Sequence, residues 1–136
     1  MGNMMSRWTD FLTTDGEKDW RNRDAEFEDD INGRADLIKK WDDGWRCLFD
    51  GLDSISRQNI GDVIYIRKMG HTVLEAINRQ LAHYAYHIGQ IVYLGRMIKG
   101  EAWTNLSIPK GKSIEYNANK FEQPKRREHF TKSILE

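Results

Sequence analysis

The sequence lacks the features that would commit it to secretion, a membrane or nucleic acid. Its single cysteine, Cys47, leaves no internal disulfide, which favours a reducing compartment and a cytoplasmic location. Lys and Arg total 21 and Asp and Glu total 21, so no net positive charge is available to hold a phosphate backbone. No apolar run approaches the length of a bilayer span or forms the core of a signal peptide. We therefore expect no nucleic-acid and no membrane partner.

Motifs of several enzyme classes are also missing. The chain contains no Gly-rich phosphate loop, no G-x-S-x-G nucleophile elbow and no C-x-x-C pair. Cys47 lies in an apolar helix stripe between Trp45 and Leu48, a setting that predicts a buried, inert thiol rather than a nucleophile. Candidate chemistry therefore has to come from other side chains.

Aromatic residues supply much of the expected core. The 136 residues suit one domain, and a mean hydropathy of −0.74 predicts a thin core for a monomer. Five Trp, five Tyr and five Phe argue against disorder, because these rings bury large apolar areas. We expect one helical domain over residues 1–121, in which Ser113 caps a last short helix ending at Phe121, and a weakly structured basic tail over residues 122–136.

Spacings of three and four between apolar residues predict two helices in the first half of the chain, over residues 3–12 and 35–55. The acidic stretch between them predicts a long polar loop, which is either a functional rim or a connector pinned by Trp20 and Phe27. The β-branched and aromatic run VIYI predicts a short extended segment near residues 62–67.

The longest predicted helix runs from Thr72 to Lys99. Thr72 and Glu75 form a T-x-x-E capping box at its start, and Gly100 is placed to end it. Its apolar residues alternate at three and four, which predicts the seam of an antiparallel bundle packed against the helix over residues 35–55. We call this set the predicted seam: Leu74, Ile77, Leu81, Tyr84, Ile88, Ile91, Gly95 and Ile98.

Two histidines on this helix, His83 and His87, are the candidate metal ligands. They are four residues apart, a spacing that places two imidazoles on one helix face. Such a pair is more often plain helix surface or part of a satisfied core, and zinc sites need three or four protein ligands. The pair by itself therefore leaves both interpretations open.

The surrounding residues carry a resemblance to a known group of proteins. The segment HYAYHIGQI from His83 to Ile91 resembles the H-x-x-x-H-x-G-Q-[IL] signature on the last bundle helix of the DinB-like superfamily. Three further blocks are similar to an uncharacterised branch of it: SRWTDFLTTDGEK at 6–18, RNRD at 21–24 and SIPKGK at 107–112. The superfamily comprises bacterial four-helix bundles that include metal-binding, thiol-dependent transferases. The resemblance thus implies an antiparallel bundle, a divalent metal (Zn²⁺ or Ni²⁺) on His83 and His87, and a thiol cosubstrate.

That family pattern also has a third His, a few residues before the position that Gly2 and Asn3 occupy here. By the same comparison the first bundle helix and the front half of the second are absent, so we expect an N-terminally truncated bundle with an incomplete His site. His71 lies about 18 Å along a helix from His83, and His129 lies in the tail, so neither replaces the missing ligand.

Arg7, Trp8 and Asp10 lie on the helix that faces the metal cleft in members of the superfamily. The resemblance therefore implies a role for them in substrate contact. Packing and surface pairing explain the same residues equally well.

Two functions from different classes remain open. In the first, a divalent metal lowers the pKa of a bound thiol or water, which implies thiol-dependent S-transfer to a small-molecule substrate. In the second, the protein is a non-enzymatic, oligomeric helical binding module whose His pair is vestigial. Stoichiometric Zn or Ni in the purified protein separates the two, and we expect an uncharacterised DinB-like protein with an incomplete site.

Uncovered apolar surface predicts a homodimer. Removing one and a half helices from a bundle uncovers the predicted seam, and a second stripe of Ala82, Tyr86, Gly89 and Tyr93 lies on another side of the helix. A two-fold pair is the commonest assembly that would cover such surfaces. The alternative is that residues 103–121 fold back over the seam and the chain is monomeric.

Overall fold

The structure, a computed structural model, describes residues 1–28 and 31–127. Within these residues it is mostly helical, with four α-helices and one two-stranded antiparallel sheet, which confirms the predicted all-α class. The elements are α1 Gly2–Trp8, α2 Arg34–Asp53, β1 Val63–Ile66, β2 Met69–Thr72, α3 Val73–Lys99 and α4 Ser113–Phe121. None of the described helices is both long and apolar enough to cross a bilayer.

Contacts divide the chain into two compact units, Met1–Gly89 and Gln90–Glu136. The first unit contains the hydrophobic core and both candidate metal ligands. In the described part of the second unit, the ring of Trp103 lies on Gly95, where an added Cβ would come within 3.1 Å of Trp103 Cζ3. A glycine at this position therefore lets the indole approach the helix backbone closely.

The end of the chain corrects one expectation and leaves another open. α4 begins at Ser113 itself, with Lys112 at the cap position and no side-chain cap bond, so the predicted Ser113 cap is wrong. No residue of α4 is buried, and residues 122–127 are exposed. The rest of the predicted basic tail, residues 128–136 with His129, lies outside the described residues.

The core of the first unit forms where α1 meets α2, the two strands and the start of α3. Its buried apolar residues are Met4, Trp8, Phe11, Leu48, Ile64, Ile66, Val73 and Ala76. Trp8 and Phe11 pack together with ring centroids 4.4 Å apart. Phe11 lies beyond α1, because the helix ends at Trp8 and Asp10 takes a left-handed φ of 47°. The helix predicted over residues 3–12 is therefore shorter than expected, although its aromatic residues are buried.

β1 and β2 form a hairpin whose turn is bonded by a residue from outside it. Arg67 and Lys68 both have positive φ, 54° and 63°, which is typical of a type I′ turn and costly for residues with side chains. The carboxylate of Asp15 accepts both of their backbone N–H groups, at 2.8 and 2.7 Å. The extended segment predicted near residues 62–67 is confirmed as β1. Its partner β2 is a strand that the sequence pattern did not reveal.

The loop after α1 is held by Ser6 rather than by its aromatic residues. Trp20 and Phe27 are 59% and 78% exposed, so their predicted pinning role is wrong. The buried Ser6 Oγ instead donates to the Gly16 carbonyl at 3.2 Å and accepts the Lys18 N–H at 3.0 Å. The Gly16 N–H donates to a carbonyl of β1 at 2.8 Å, which brings the loop beside the hairpin.

α3 begins at the predicted capping box. The Glu75 N–H donates to Thr72 Oγ1 at 3.1 Å, and the Thr72 N–H donates to the Glu75 carboxylate at 2.8 Å, so both halves of the box are formed. The buried residues of the helix are Val73, Ala76 and Gln80. They form a line at helical spacing that is displaced from the predicted seam.

Most of the predicted seam is exposed, which corrects the expectation that it packs against α2. The side chains of Leu74, Leu81, Ile88, Ile91 and Ile98 are 50%, 66%, 50%, 59% and 84% exposed. The reason is that α1 packs on the neighbouring side of α3, where Gln80 Nε2 donates to Asn3 Oδ1 at 3.3 Å. Two members of the predicted seam, Ile77 and Tyr84, are partly buried against the core, and the ring of Tyr84 lies 5.7 Å from that of Trp45 on α2.

Candidate functional site

The two histidines of α3 lie together on one helix face. The ring centroids of His83 and His87 are 4.5 Å apart, and the ring planes meet at 86°. Both side chains are exposed. Residues at i and i+4 on a regular helix lie side by side, so the closeness of the two rings follows directly from the sequence. Two nitrogen donors are therefore presented on the same side of α3.

Several positive charges act on the first of these rings. Partial burial lowers the pKa of His83, and the charges of His87, Arg7, Arg79 and Arg21 lower it further. The lowered pKa favours the neutral imidazole of His83 at pH 7, the form that binds a metal ion. The same charges oppose the approach of another cation unless an anion accompanies it.

Two imidazoles make up only part of a metal site. In the described part of the chain, no group of three or more His, Cys, Asp or Glu side chains could hold a metal ion. His71 lies on β2, where its Nε2 is 3.5 Å from Arg79 Nη1. The imidazole nitrogens of His83 and His87 are ligands that Zn²⁺ and Ni²⁺ prefer. Because two ligands do not complete the coordination of either ion, the others would come from solvent, a small molecule or a second chain.

The thiol of Cys47 is half-buried, whereas the sequence predicted a buried one. Cys47 Sγ lies 3.4 Å from Thr9 Oγ1 and donates to the Met5 carbonyl oxygen at 3.7 Å. Both partners belong to α1 or to the residue after it. Cys47 therefore contributes to the contact between α1 and α2.

His83 and His87 are exposed and lie outside two concavities on the described surface. One surface concavity lies between the loop after α1 and the hairpin, lined by residues that include Asp15 and Tyr65. Another runs along the first turns of α2, beside Ile38. Neither concavity is lined by His83 or His87. Because both imidazoles are exposed, a ligand can reach them from solvent.

The three residues that the resemblance associates with substrate contact have different environments in the structure. Trp8 is buried in the core, so packing accounts for it, and Asp10 is exposed in the turn after α1. Arg7 is buried, and its Nε has no hydrogen-bond partner within the described structure. Packing alone does not explain an arginine in this position.

Arg7 lies near a network of charges that the sequence did not reveal. Glu17 Oε2 lies 3.1 Å from Arg21 Nη1 and 3.3 Å from Arg67 Nη2, and Arg21 Nε also pairs with Glu26 at 2.7 Å. These residues come from the loop after α1 and from the hairpin turn. Because they are far apart in sequence and share no motif, only the fold brings them together.

The fold and the paired histidines define a helical protein with a small hairpin and a candidate metal face on its longest helix. Residues 1–112 match the sequence model of a family described as a protein of unknown function, DUF1572, and the chain belongs to this family. The match includes α1, the hairpin and both histidines. No curated protein and no solved structure matches the chain.

Proposed function

We propose that this protein is a DinB-like, cytoplasmic protein that holds a divalent metal ion, Zn²⁺ or Ni²⁺, on His83 and His87. The observation that carries the proposal is the placement of two imidazoles on one exposed face of α3, with ring centroids 4.5 Å apart. The lowered pKa of His83 supports it, because a neutral imidazole is a competent ligand at pH 7. The H-x-x-x-H-x-G-Q-I segment supports the placement in the superfamily.

A thiolate, as an anionic external ligand, fits this electrostatic setting. The positive charges of Arg7, Arg79 and Arg21 act at His83, where they lower its pKa. They would repel a metal dication that binds alone, and they would attract an anion that accompanies it. When bound, the metal supplies Lewis acidity that lowers the pKa of a coordinated thiol and makes it a thiolate nucleophile. The chain's own contribution is to hold the ion with His83 and His87 and to stabilise the anion by charge. This chemistry is that of a thiol-dependent S-transferase acting on a small molecule.

A second candidate function is a non-enzymatic, oligomeric binding module. The observation that favours it is the exposed apolar surface on two sides of α3, where Leu81 and Tyr86 are 66% and 63% exposed. In this version the chain forms a two-fold homodimer through α3, and the His pair has no metal. The two functions differ in one measurable property, the binding of metal.

Absorption spectroscopy with Ni²⁺ tests the first function. Metal-free, tag-free protein is titrated with Ni²⁺ in the presence and absence of 2-mercaptoethanol. We expect a thiolate-to-nickel charge-transfer band that saturates near one ion per chain, only when the thiol is present. The band should disappear in a His83→Ala/His87→Ala double variant.

Two control variants make this titration specific. His71→Ala removes a histidine outside the pair, and Cys47→Ser removes the protein's own thiol, so both should retain the band. A band lost with Cys47→Ser would assign the thiolate to the protein and contradict the role of an external thiol. Equal Ni²⁺ binding by the wild type and the double variant would contradict the site itself.

A further inference from the structure

Arg7 is a largely buried cation whose Nε has no hydrogen-bond partner in the described residues. Its side chain is only 7% exposed, and its Nε donates to no acceptor in the described part of the chain. The stem is confined by the loop, because a Cβ added at Gly16 would lie 2.9 Å from Arg7 Cδ. Burying a guanidinium without a partner destabilises a fold, so such a group is rare unless something binds it. The C-terminal end of α1 offsets only part of this charge, since Arg7 lies in its last turn.

Positive charge is concentrated around this residue. Four arginines, Arg7, Arg21, Arg67 and Arg79, form what we call the arginine cluster. Burial lowers the pKa of Arg7 and the charge of Arg79 lowers it further, whereas the charge of Glu17 raises it; Arg21 and Arg67 have smaller lowering effects. This mutual effect is expected of cations gathered in a small volume.

The carboxylates of this region form no ion pair with Arg7 in the described residues, although the charge of Glu17 raises its pKa. Glu17 bridges Arg21 and Arg67, and Glu26 pairs with Arg21. Glu17 is thus held by two arginines and Glu26 by one of them, while Arg7 and Arg79 form no ion pair with a carboxylate in residues 1–28 and 31–127. Neither guanidinium therefore has a carboxylate partner in these residues, and Arg79 has a 3.5 Å contact with His71 Nε2.

We propose that Arg7, with Arg79, binds an oxyanion: the carboxylate or phosphate group of a small-molecule ligand. A guanidinium offers a planar fork of N–H donors that matches two oxygens of either group, and a partly dehydrated site strengthens these bonds. The oxyanion supplies the acceptor that Arg7 Nε lacks and adds negative charge beside Arg7 and Arg79. This site requires no metal on His83 and His87 and is tested independently of it.

Thermal unfolding with added anions tests the proposal. The wild-type protein is heated with inorganic phosphate, with malonate, or with sodium chloride at equal ionic strength. We expect phosphate or malonate, well above its Kd, to raise Tm by about 4 °C or more relative to chloride. The larger of the two shifts identifies the oxyanion as phosphate or carboxylate.

Variants assign the effect to the arginines. Arg7→Met should abolish the shift, and Arg79→Met should weaken the anion affinity by about tenfold or more. Arg46→Met removes an exposed arginine paired with Asp43 on α2 and should retain the full shift. In anion-free buffer Arg7→Met should be as stable as the wild type or more stable, because it removes an unpaired buried charge.

Three results would overturn the proposal. They are no shift beyond that of chloride in the wild type, an equal shift in the wild type and Arg79→Met, and a folded Arg7→Met protein that keeps the shift. Because Arg79 is exposed, its variant is expected to fold even if Arg7→Met does not, so the test remains decisive. Isothermal titration with the effective anion measures the affinities directly.

Discussion

Gly51 of α2 lies directly against Trp8 of α1. A Cβ added at Gly51 would come within 3.0 Å of Trp8 Cε3 and 3.2 Å of the Trp8 carbonyl oxygen. Glycine weakens a helix interior, so its presence here is explained by the close approach of the two helices. Trp8 is 2% exposed, and the contact with Gly51 therefore helps to set how deeply the indole enters the core.

Substituting this glycine should destabilise the protein, whereas a neighbouring glycine should tolerate the same change. Gly51→Ala forces a methyl group against a ring and a backbone oxygen, and should lower the free energy of unfolding by about 1 to 3 kcal/mol. Gly44→Ala meets the Met1 Sδ at 2.8 Å, the end of a flexible side chain that can move aside. It should be neutral or stabilise by up to about 1 kcal/mol through helix propensity. Urea unfolding followed by circular dichroism measures both, and equal effects would contradict the assigned contact.

Asp15 should stabilise the hairpin in a pH-dependent way. Desolvation raises the pKa of Asp15, but the backbone N–H groups of Lys68, Glu17 and Arg67 outweigh it, so the net pKa is lowered. A carboxyl group whose folded pKa lies below its unfolded value of about 3.9 stabilises the fold above that pH, and this contribution disappears as the pH falls through the folded pKa. Asp15→Ala should therefore cost about 1 to 2 kcal/mol at pH 7, at the low end for charged hydrogen bonds because the site is accessible to solvent.

The measurement for Asp15 is urea unfolding at pH 7, pH 5 and pH 3. The difference between Asp15→Ala and the wild type should persist at pH 5 and shrink at pH 3. Asp19→Ala, in the same loop and exposed, is the matched control and should change little at any pH. A difference that stays constant down to pH 3 would contradict the role of the ionised carboxylate.

The core of the first unit should depend on α2 far more than on the exposed side of α3. Leu48 is 6% exposed, so Leu48→Ala should cost about 2 to 5 kcal/mol. Leu81 is 66% exposed, and Leu81→Ala should change the stability of the monomer by less than about 0.5 kcal/mol. Chemical denaturation at low protein concentration tests the pair. A loss of several kcal/mol from Leu81→Ala under these conditions would show that the side chain is covered.

Dimerisation through α3 would double the molar mass measured in solution. If the proposed homodimer forms, light scattering at micromolar concentration should give twice the 16.0 kDa of one chain. Leu81→Asp should return the mass to that of one chain, since it places a charge in an apolar interface. Leu106→Asp, a change at an exposed leucine outside α3, should leave the dimer intact. A wild-type mass near 16.0 kDa would rule out the dimer.

The parts of the fold that were predictable are those that local sequence determines. The capping box of Thr72 and Glu75 lies within one turn, and the structure forms both of its hydrogen bonds. The second strand of the hairpin escaped prediction because its turn, Arg67 and Lys68, contains neither Gly nor Asn. Its N–H groups are satisfied by Asp15, a residue more than fifty positions away, and no local pattern signals such a bond.

The face of α3 that is buried in the core could not be predicted from the sequence, for a similar reason. The helix carries apolar residues on more than one side, and burial went to Val73 and Ala76 because α1 packs there. The His83 and His87 pair was predictable because i, i+4 spacing determines its geometry. The arginine cluster was not, because its members come from separate elements.

Metal content measures the central proposal most directly. Tag-free protein is brought to equilibrium by dialysis against micromolar Zn²⁺ or Ni²⁺ with a thiol present, and the metal bound per chain is determined by elemental analysis. We expect about one ion per chain for the wild type and for His71→Ala, and almost none for the His83→Ala/His87→Ala double variant. A wild type that binds no metal, or a double variant that binds as much as the wild type, would contradict the assignment of His83 and His87 as metal ligands.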